Sequence, residues 1–348
     1  MRETLKYYLH KYFIIFPFIL LVSLPLLILS IIPTNKGIIL KGDTEVFRNV
    51  INVETDYTQT GSFSTIYVST MEKSTVFQNL VVSGIKTAEL YDLSKSETHL
   101  TRIESWQASK IQYKSSIGNA LVLAYALAKL DNATINLDYS FQGFGITYYG
   151  PKSSFRIGDT IIKIKSNKNN NLISSKDDEA DFRRVINLEK TVGDIYTVIR
   201  DGVEKEITLT ENDTFYAYSI YSYDGEKSTP KFSYSDSNVG GPSGGLLQTL
   251  SIYNQLTETD LTHGLKIAGT GTISYTGEVG IIGGIKEKIP TALDDNIDVF
   301  FCAAGNYSDA YETYKSIPGH QNMKLVKIET FYDALEYLKE GYKNDFRD

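Results

Sequence analysis

The sequence predicts an α+β protein in three parts: an N-terminal membrane helix, a small mixed α/β segment behind it, and a C-terminal α/β domain. Three observations predict this. From Tyr12 to Asn35 there is no charged residue, and about 20 apolar residues are enough to cross the hydrocarbon core as a helix. From Thr214 onward strand-like and helix-like stretches alternate, the pattern of a layered α/β or α+β domain. The total of 348 residues is too long for one ordinary domain.

The N-terminal element is justified by its flanks. Arg2, Lys6 and Lys11 precede the apolar run, so residues 1–11 are expected on the cytoplasmic side and residues 12–35 as the span. Pro17 and Pro25 are tolerable in a membrane helix, and Tyr7, Tyr8 and Tyr12 suit the interface. A cleaved signal peptide would show a shorter apolar region, about 7–15 residues, with an A-x-A-like site behind it. Here the run is longer and no such site follows. The expectation is an uncleaved anchor with the rest of the chain outside.

Residues 36–135 form the next part. "GIILKGDTEVFRNVINV" and "GSFSTIYVSTMEKSTVFQNLVV" read as strands. "LTRIESWQASKIQYKSSIGNALVLAYALAKL" reads as a packing helix, with Trp106, Ile117, Leu121 and Ala124 at helix-compatible separations. In residues 136–211, "RIGDTIIKI" reads as a strand after a Gly-Asp turn, "DDEADFRRVINLEK" as a helix, and "IYTVIRDGVEKEITLTE" as a hairpin turning at Asp201-Gly202.

Composition removes several classes of function. The net charge of −7 argues against a nucleic-acid partner. The single cysteine, Cys302 in "DVFFCAAGN", excludes an intrachain disulfide and a cysteine-based zinc site, and its apolar setting suggests burial at a strand end. The four histidines, His10, His99, His263 and His320, are scattered with no HExxH pattern. No GxxxxGK followed by Ser or Thr occurs. No metal, cofactor or nucleotide is therefore expected.

The chemistry of residues 212–348 turns on "VGGPSGG", residues 239–245. Ser243 is framed by glycines and a proline, just before a helical pattern. It reads either as a helix-capping turn or as an exposed nucleophile. A serine nucleophile needs a base. His263 lies in the polar stretch "TETDLTHGL" with no evident Asp partner and reads as a solvated loop residue. Lysine is the other option, because burial disfavours its charged form. Lys286 and Lys288 both lie in "GIIGGIKEKIPTAL", and the pattern hardly separates them. Lys288 stands at helical spacing from Ile285 and Ala292.

"GGPSGG", "IAGTGTISYTGEVGIIGGIKEK" and the helix behind them resemble the proteolytic domain of Lon proteases over about residues 212–340. The resemblance implies a nucleophile in a Gly-Pro-Ser motif and a base in the lysine ending Gly-Gly-x-x-x-Lys. Carried onto Gly283 and Gly284, that lysine is Lys288, paired with Ser243. Thr270 in "AGTGTI" then supports the lysine, and backbone at Gly241 and Gly244 serves the oxyanion or the substrate backbone. Two residues depart from the family: Gly244 stands where Lon usually has Ala, and Gly240 where many Lon proteases carry Asp.

Residues 136–211 resemble a PDZ domain, which implies binding of an extended peptide by strand addition. "GFGI" at 143–146 looks like a carboxylate-binding loop, but it lies about one strand too close to Gly158 for the usual order and is not read as one. Anchor, PDZ-like segment and Lon-type domain together resemble the membrane-anchored, PDZ-containing Lon-like proteases of bacteria. That implies an ATP-independent serine endopeptidase at the cell membrane, single-pass with its catalytic domain outside, acting on peptides or proteins and possible as a homo-oligomer. The alternative is a catalytically inactive membrane adapter that binds peptide through the PDZ-like segment. A phosphate cradle built on the glycines lacks the Lys-Ser/Thr that should follow them.

Overall fold

In the computed structural model the chain begins as one helix, α1 (Arg2–Ile31), with Pro17 and Pro25 inside it. The described residues are 2–341 apart from 86, 95–97, 189 and 236, and for residues 2–11, 14–16, 18, 187–188 and 340–341 the backbone alone is described. They fall into two compact units: residues 1–41 with 69–98, and residues 42–68 with 99–348.

In the first unit α1 stops at Ile31 and not at Asn35, the expected end of the span. Beyond it the backbone is used in extended form: Pro33 forms a bridge with Thr75, and Thr34 donates its N–H to the Ser74 carbonyl. Among the described residues no helix is long and apolar enough to cross a membrane. Side chains 14–16 and 18 of the expected span lie outside the described residues. Strand β1 (Lys36–Leu40) pairs antiparallel with β5 (Ser69–Met71) on one side and β6 (Ala88–Asp92) on the other. Helix α2 (Val76–Val82) is opened by a capping box between Thr75 and Gln78, which satisfies two backbone donors that the first turn leaves open. The intervening β2 (Thr44–Val46), β3 (Ile51–Val53) and β4 (Ser62–Ile66) belong to the second unit.

The second unit is organised around α3 (Arg102–Asp131), a 30-residue helix whose start is fixed by a Thr101–Glu104 capping box. Ile117, Leu121 and Ala124 are fully buried along one face, as their spacing predicts. Trp106, expected in the same stripe, is half exposed and carries Lys110 over its ring.

A six-stranded antiparallel sheet follows. It runs β11 (Val203–Thr208), β10 (Ile195–Arg200), β8 (Thr160–Lys165), β7 (Tyr139–Tyr149), β12 (Phe215–Tyr223), with β9 (Leu172–Ser174) on β8. Helix α4 (Glu179–Leu188) connects β9 to β10 and contributes Phe182 to an aromatic core with Phe141, Phe144, Phe155, Tyr196 and Phe215. The hairpin turn at Asp201-Gly202 forms as expected: both residues have positive φ, and Arg200 pairs with Val203 across it. The Gly-Asp turn has its own logic. Gly158 takes φ +89°, and the buried Asp159 carboxylate accepts from Arg200 and from the Arg156 N–H, which offsets the cost of burying its charge. Gly143 to Ile146 lie inside β7 and not in a loop. Strand β12 pairs with β7 from Phe215 to Tyr223, so this sheet continues past residue 211.

The remaining elements form a mixed sheet covered by helices. After β13 (Phe232–Tyr234), which pairs with β3, come α5 (Gly245–Leu256), β14 (Lys266–Thr270), the short pair β15 (Thr272–Ile273) and β16 (Val279–Gly280), and α6 (Ile285–Asp294). Then follow β17 (Val299–Ala303), α7 (Tyr307–Ser316), β18 (Lys324–Ile328) and α8 (Phe331–Glu336). The sheet order is β18-β17-β14-β4-β2, parallel except for the edge strand β2. Parallel strands covered on both faces read as continuous apolar runs, and all five residues of β17 are buried. Cys302 is one of them, and burial pushes its thiol up to about 12, far from a thiolate at neutral pH.

Every residue of α5 is buried, including its polar ones. They are bonded: Gln255 accepts from the Val53 N–H and donates to the Ile51 carbonyl, Asn254 accepts from the Leu261 N–H, and Thr249 donates to the Gly245 carbonyl. A helix so surrounded has a fixed N-terminus, and Ser243 stands two residues before it.

Candidate active site

The loop before α5 presents the Ser243 hydroxyl. Gly241 takes φ +81°, in the left-handed region where glycine has no Cβ penalty, and its N–H is donated to the Ser109 carbonyl of α3 at 2.8 Å. The N-cap of α5 is Gly244, with no side-chain cap, so Ser243 does not cap the helix. Its Oγ meets Lys288 Nζ at 2.9 Å instead.

Lys288 reaches that point from α6. Gly284 takes φ +71° as the residue before the helix, and Lys288 lies one turn in, 1 % exposed. Lys286 is exposed. The tertiary structure thus separates two lysines that the sequence pattern hardly could. Burial alone lowers the Lys288 ammonium from its ordinary range to about 7.

The three partners of Lys288 fix its hydrogens. Nζ donates to the Ile66 carbonyl at 2.6 Å, and Thr270 Oγ1 lies at 3.3 Å. Thr270 Oγ1 donates its own hydrogen to the Ser243 carbonyl at 3.1 Å. It can therefore only accept from Lys288, and a carbonyl can only accept. A neutral amine has two N–H groups and one lone pair. With the N–H groups directed at Ile66 and Thr270, the lone pair faces the Ser243 hydroxyl. The Ser243 carbonyl is held a second time, by the Gly271 N–H at 2.8 Å.

Two donors remain open beside Oγ. Among the described residues neither the Ser243 N–H nor the Gly244 N–H is donated to a protein acceptor. Both lie at the positive end of α5, where developing negative charge is favoured. Of the two glycines expected to serve an oxyanion or the substrate backbone, Gly244 keeps a free N–H and Gly241 does not.

At both departures from the Lon pattern a side chain would meet a close neighbour. A Cβ on Gly244 would come within 2.8 Å of Thr65 Cγ2, and one on Gly240 within 2.9 Å of Ser109 Cβ. Gly245 is also tight, with Ile273 closer than 3.0 Å to any Cβ there.

Among the described residues, the side chains of Ser243 and Lys288 bond to no histidine. His263 faces the Leu338 carbonyl, His320 packs on Tyr314, and His99 packs on Tyr148 and Tyr149. The side chain of His10 lies outside the described residues. No group of three or more His, Cys, Asp or Glu able to hold a metal ion occurs among the described residues.

Four contributing residues carried no signal in the sequence. The Ile66 carbonyl acts through its backbone, so its residue type says nothing. Ser116 and Gln248, which bond to each other at 2.8 Å and tie α3 to α5, are 132 positions apart. Ser109, which holds the Gly241 N–H, lies on a helix that reads only as packing.

Residues 195–339 match the Lon protease (S16) C-terminal proteolytic domain. The match begins in β10, within the six-stranded sheet, and takes in Ser243, Thr270 and Lys288. Lon protease of Campylobacter concisus is 31% identical over 130 residues, covering 37% of this chain and 14% of that protein. Lon protease of Campylobacter jejuni is 29% identical over 138 residues, 39% of this chain and 16% of that protein. Lon protease of Phenylobacterium zucineum is 33% identical over 109 residues, 31% of this chain and 13% of that protein. The chain thus spans well under a fifth of the length of these relatives.

Proposed function

We propose that this protein is a serine endopeptidase in which Ser243 is the nucleophile and Lys288 its base. One observation carries the reading: a fully buried lysine, its other hydrogens engaged, aims Nζ at a serine hydroxyl 2.9 Å away. Geometry comes first in recognising a general base, and the tuned pKa follows.

The steps balance as follows. Neutral Lys288 takes the Ser243 hydroxyl proton as Oγ attacks a peptide carbonyl carbon. The oxyanion accepts from the Ser243 and Gly244 N–H groups, and one such donor is commonly worth about 3–4 kcal/mol in the transition state. The C–N bond breaks as Lys288 returns the proton to the leaving amine. Water, deprotonated by Lys288, then cleaves the ester, releasing the acid and restoring the serine. Thr270 orients the lysine throughout.

We further propose that the charge-free run at residues 12–35, preceded by Arg2, Lys6 and Lys11, anchors the chain in a membrane with the peptidase region outside. The sheet and helix between Tyr139 and Tyr223 would present extended peptide to the site as a PDZ-like module. No GxxxxGK followed by Ser or Thr lies within these 348 residues, and the cleavage is proposed to run without ATP.

The test is peptide hydrolysis by the purified chain beside Ser243→Ala and Lys288→Ala. Both variants are expected to lose turnover while remaining folded by circular dichroism. Full activity in Ser243→Ala overturns the reading.

A further inference from the structure

A cavity of about 350 Å³ opens beside the nucleophile, between α3, Pro242 and the β15–β16 pair. Pro242 directly precedes Ser243, and Thr272 follows the Thr270-Gly271 segment that holds the Ser243 carbonyl. Pro242 puts the cavity one residue from Ser243, which is not itself in the lining. The mechanism itself uses none of the lining side chains.

Part of the wall is already bonded. Ser116 donates to Gln248 Oε1, and Asn119 donates to the Ile273 carbonyl while accepting from the Tyr221 hydroxyl. Two features are not. Ser115 Oγ is buried, its residue 2 % exposed, and among the described residues it has no hydrogen-bond partner. A buried hydroxyl without a partner is uncommon and calls for an explanation. Among the described residues Glu278 is the only charged one in the lining, no basic residue lines the cavity with it, and it is exposed.

We infer that this cavity is a specificity pocket for a basic side chain, lysine or arginine, flanking the scissile bond. The inference rests on the peptidase reading above. The cationic head would pair with the Glu278 carboxylate, while Asn119 and Ser116 hold the wall rigid. An acidic side chain would meet Glu278 with like charge. A large apolar one would shield the Glu278 carboxylate from water without giving it a partner.

The test is cleavage profiling of the purified full chain, of Glu278→Gln and of Glu278→Lys with a peptide library varied around one scissile bond. Wild type is expected to favour Lys or Arg at one position next to that bond. Glu278→Gln should lower kcat/KM for those peptides about five- to tenfold, with neutral peptides changed less than about twofold. Glu278→Lys should turn the preference towards acidic side chains, a reversal that a structural role for Glu278 would not produce. Cleavage with no basic preference, or a preference that Glu278→Lys leaves unmoved, overturns the pocket and leaves the Ser243–Lys288 reading standing. Absence of any Ser243-dependent cleavage overturns that reading and the pocket with it.

Discussion

Thr270 Oγ1 lies 3.3 Å from Lys288 Nζ and gives its only hydrogen to the carbonyl of Ser243. One hydroxyl therefore ties Lys288 to the backbone of Ser243 and decides which way the lysine lone pair points. Thr270→Val keeps the shape and removes that relay. It is expected to lower kcat by about tenfold to a hundredfold, given the size of general-base effects, with little change in KM. Thr270→Ser, which keeps the hydroxyl, should recover most of the rate. Steady-state kinetics on the three proteins check this.

Activity should depend on the charge of Lys288. Burial holds its pKa near 7, and in the proposed mechanism the lysine acts only when neutral. The rate is expected to rise with pH through about 7 and then level, with kcat/KM reporting the free enzyme. A pH–rate profile between about pH 5 and 9 measures it. A plateau already complete at about pH 5 would contradict a lysine base.

The same burial makes stability pH-dependent, and the sign follows from proton counting. Between about pH 7 and the ordinary lysine value near 10.4, the unfolded chain holds a proton that the folded chain has released. Folding stability from this group therefore increases as pH rises across that window. Wild type should gain about 2 kcal/mol relative to Lys288→Met between about pH 7 and pH 9. Urea unfolding of both proteins at the two pH values gives the difference.

Gly244 and Thr65 are a steric pair. Gly244→Ala drives a Cβ to within 2.8 Å of Thr65 Cγ2, and neither the strand nor the helix N-terminus can yield freely. The substitution is expected to cost about 1–3 kcal/mol of stability, the usual penalty of overpacking, and to reduce turnover by shifting the Gly244 N–H. Adding Thr65→Ser removes the offending methyl and should restore both. Thermal melts and hydrolysis rates on the single and double variants decide it.

Arg183 on α4 is buried under four aromatic rings, Phe141, Phe144, Tyr221 and Tyr275, and bonds to Glu179, Ser219 and the Tyr221 hydroxyl. Arg183→Met keeps much of the volume and removes every donor. It is expected to cost about 2 kcal/mol, because the charged hydrogen bonds and the cation–π attraction disappear together. A lowered melting temperature measures it. Tyr275 sits between β15 and β16, so a fall in peptide turnover should accompany the change.

Much of this protein was legible along the chain because the signals were local. Asp201-Gly202 specified its hairpin turn, since both residues accept positive φ. The apolar run of β17 announced a buried strand, and the spacing of Ile117, Leu121 and Ala124 announced the buried face of α3. Ser243 and Lys288 were both legible as candidates, the one by its glycines and the other by the Gly-Gly that precedes it.

Other features depend on elements distant in sequence, and only the tertiary structure decided them. Burial distinguishes Lys288 from Lys286, and burial comes from packing α6 against β4 and β14. The Ile66 carbonyl and the Ser109 carbonyl act through backbone, to which residue type is silent. Thr65 and Ser109, the neighbours that leave no room for a Cβ at Gly244 and Gly240, lie on β4 and α3. The loop could equally have capped its helix through Ser243. It does not, because folding brings a desolvated amine 2.9 Å from the hydroxyl and leaves the cap to Gly244.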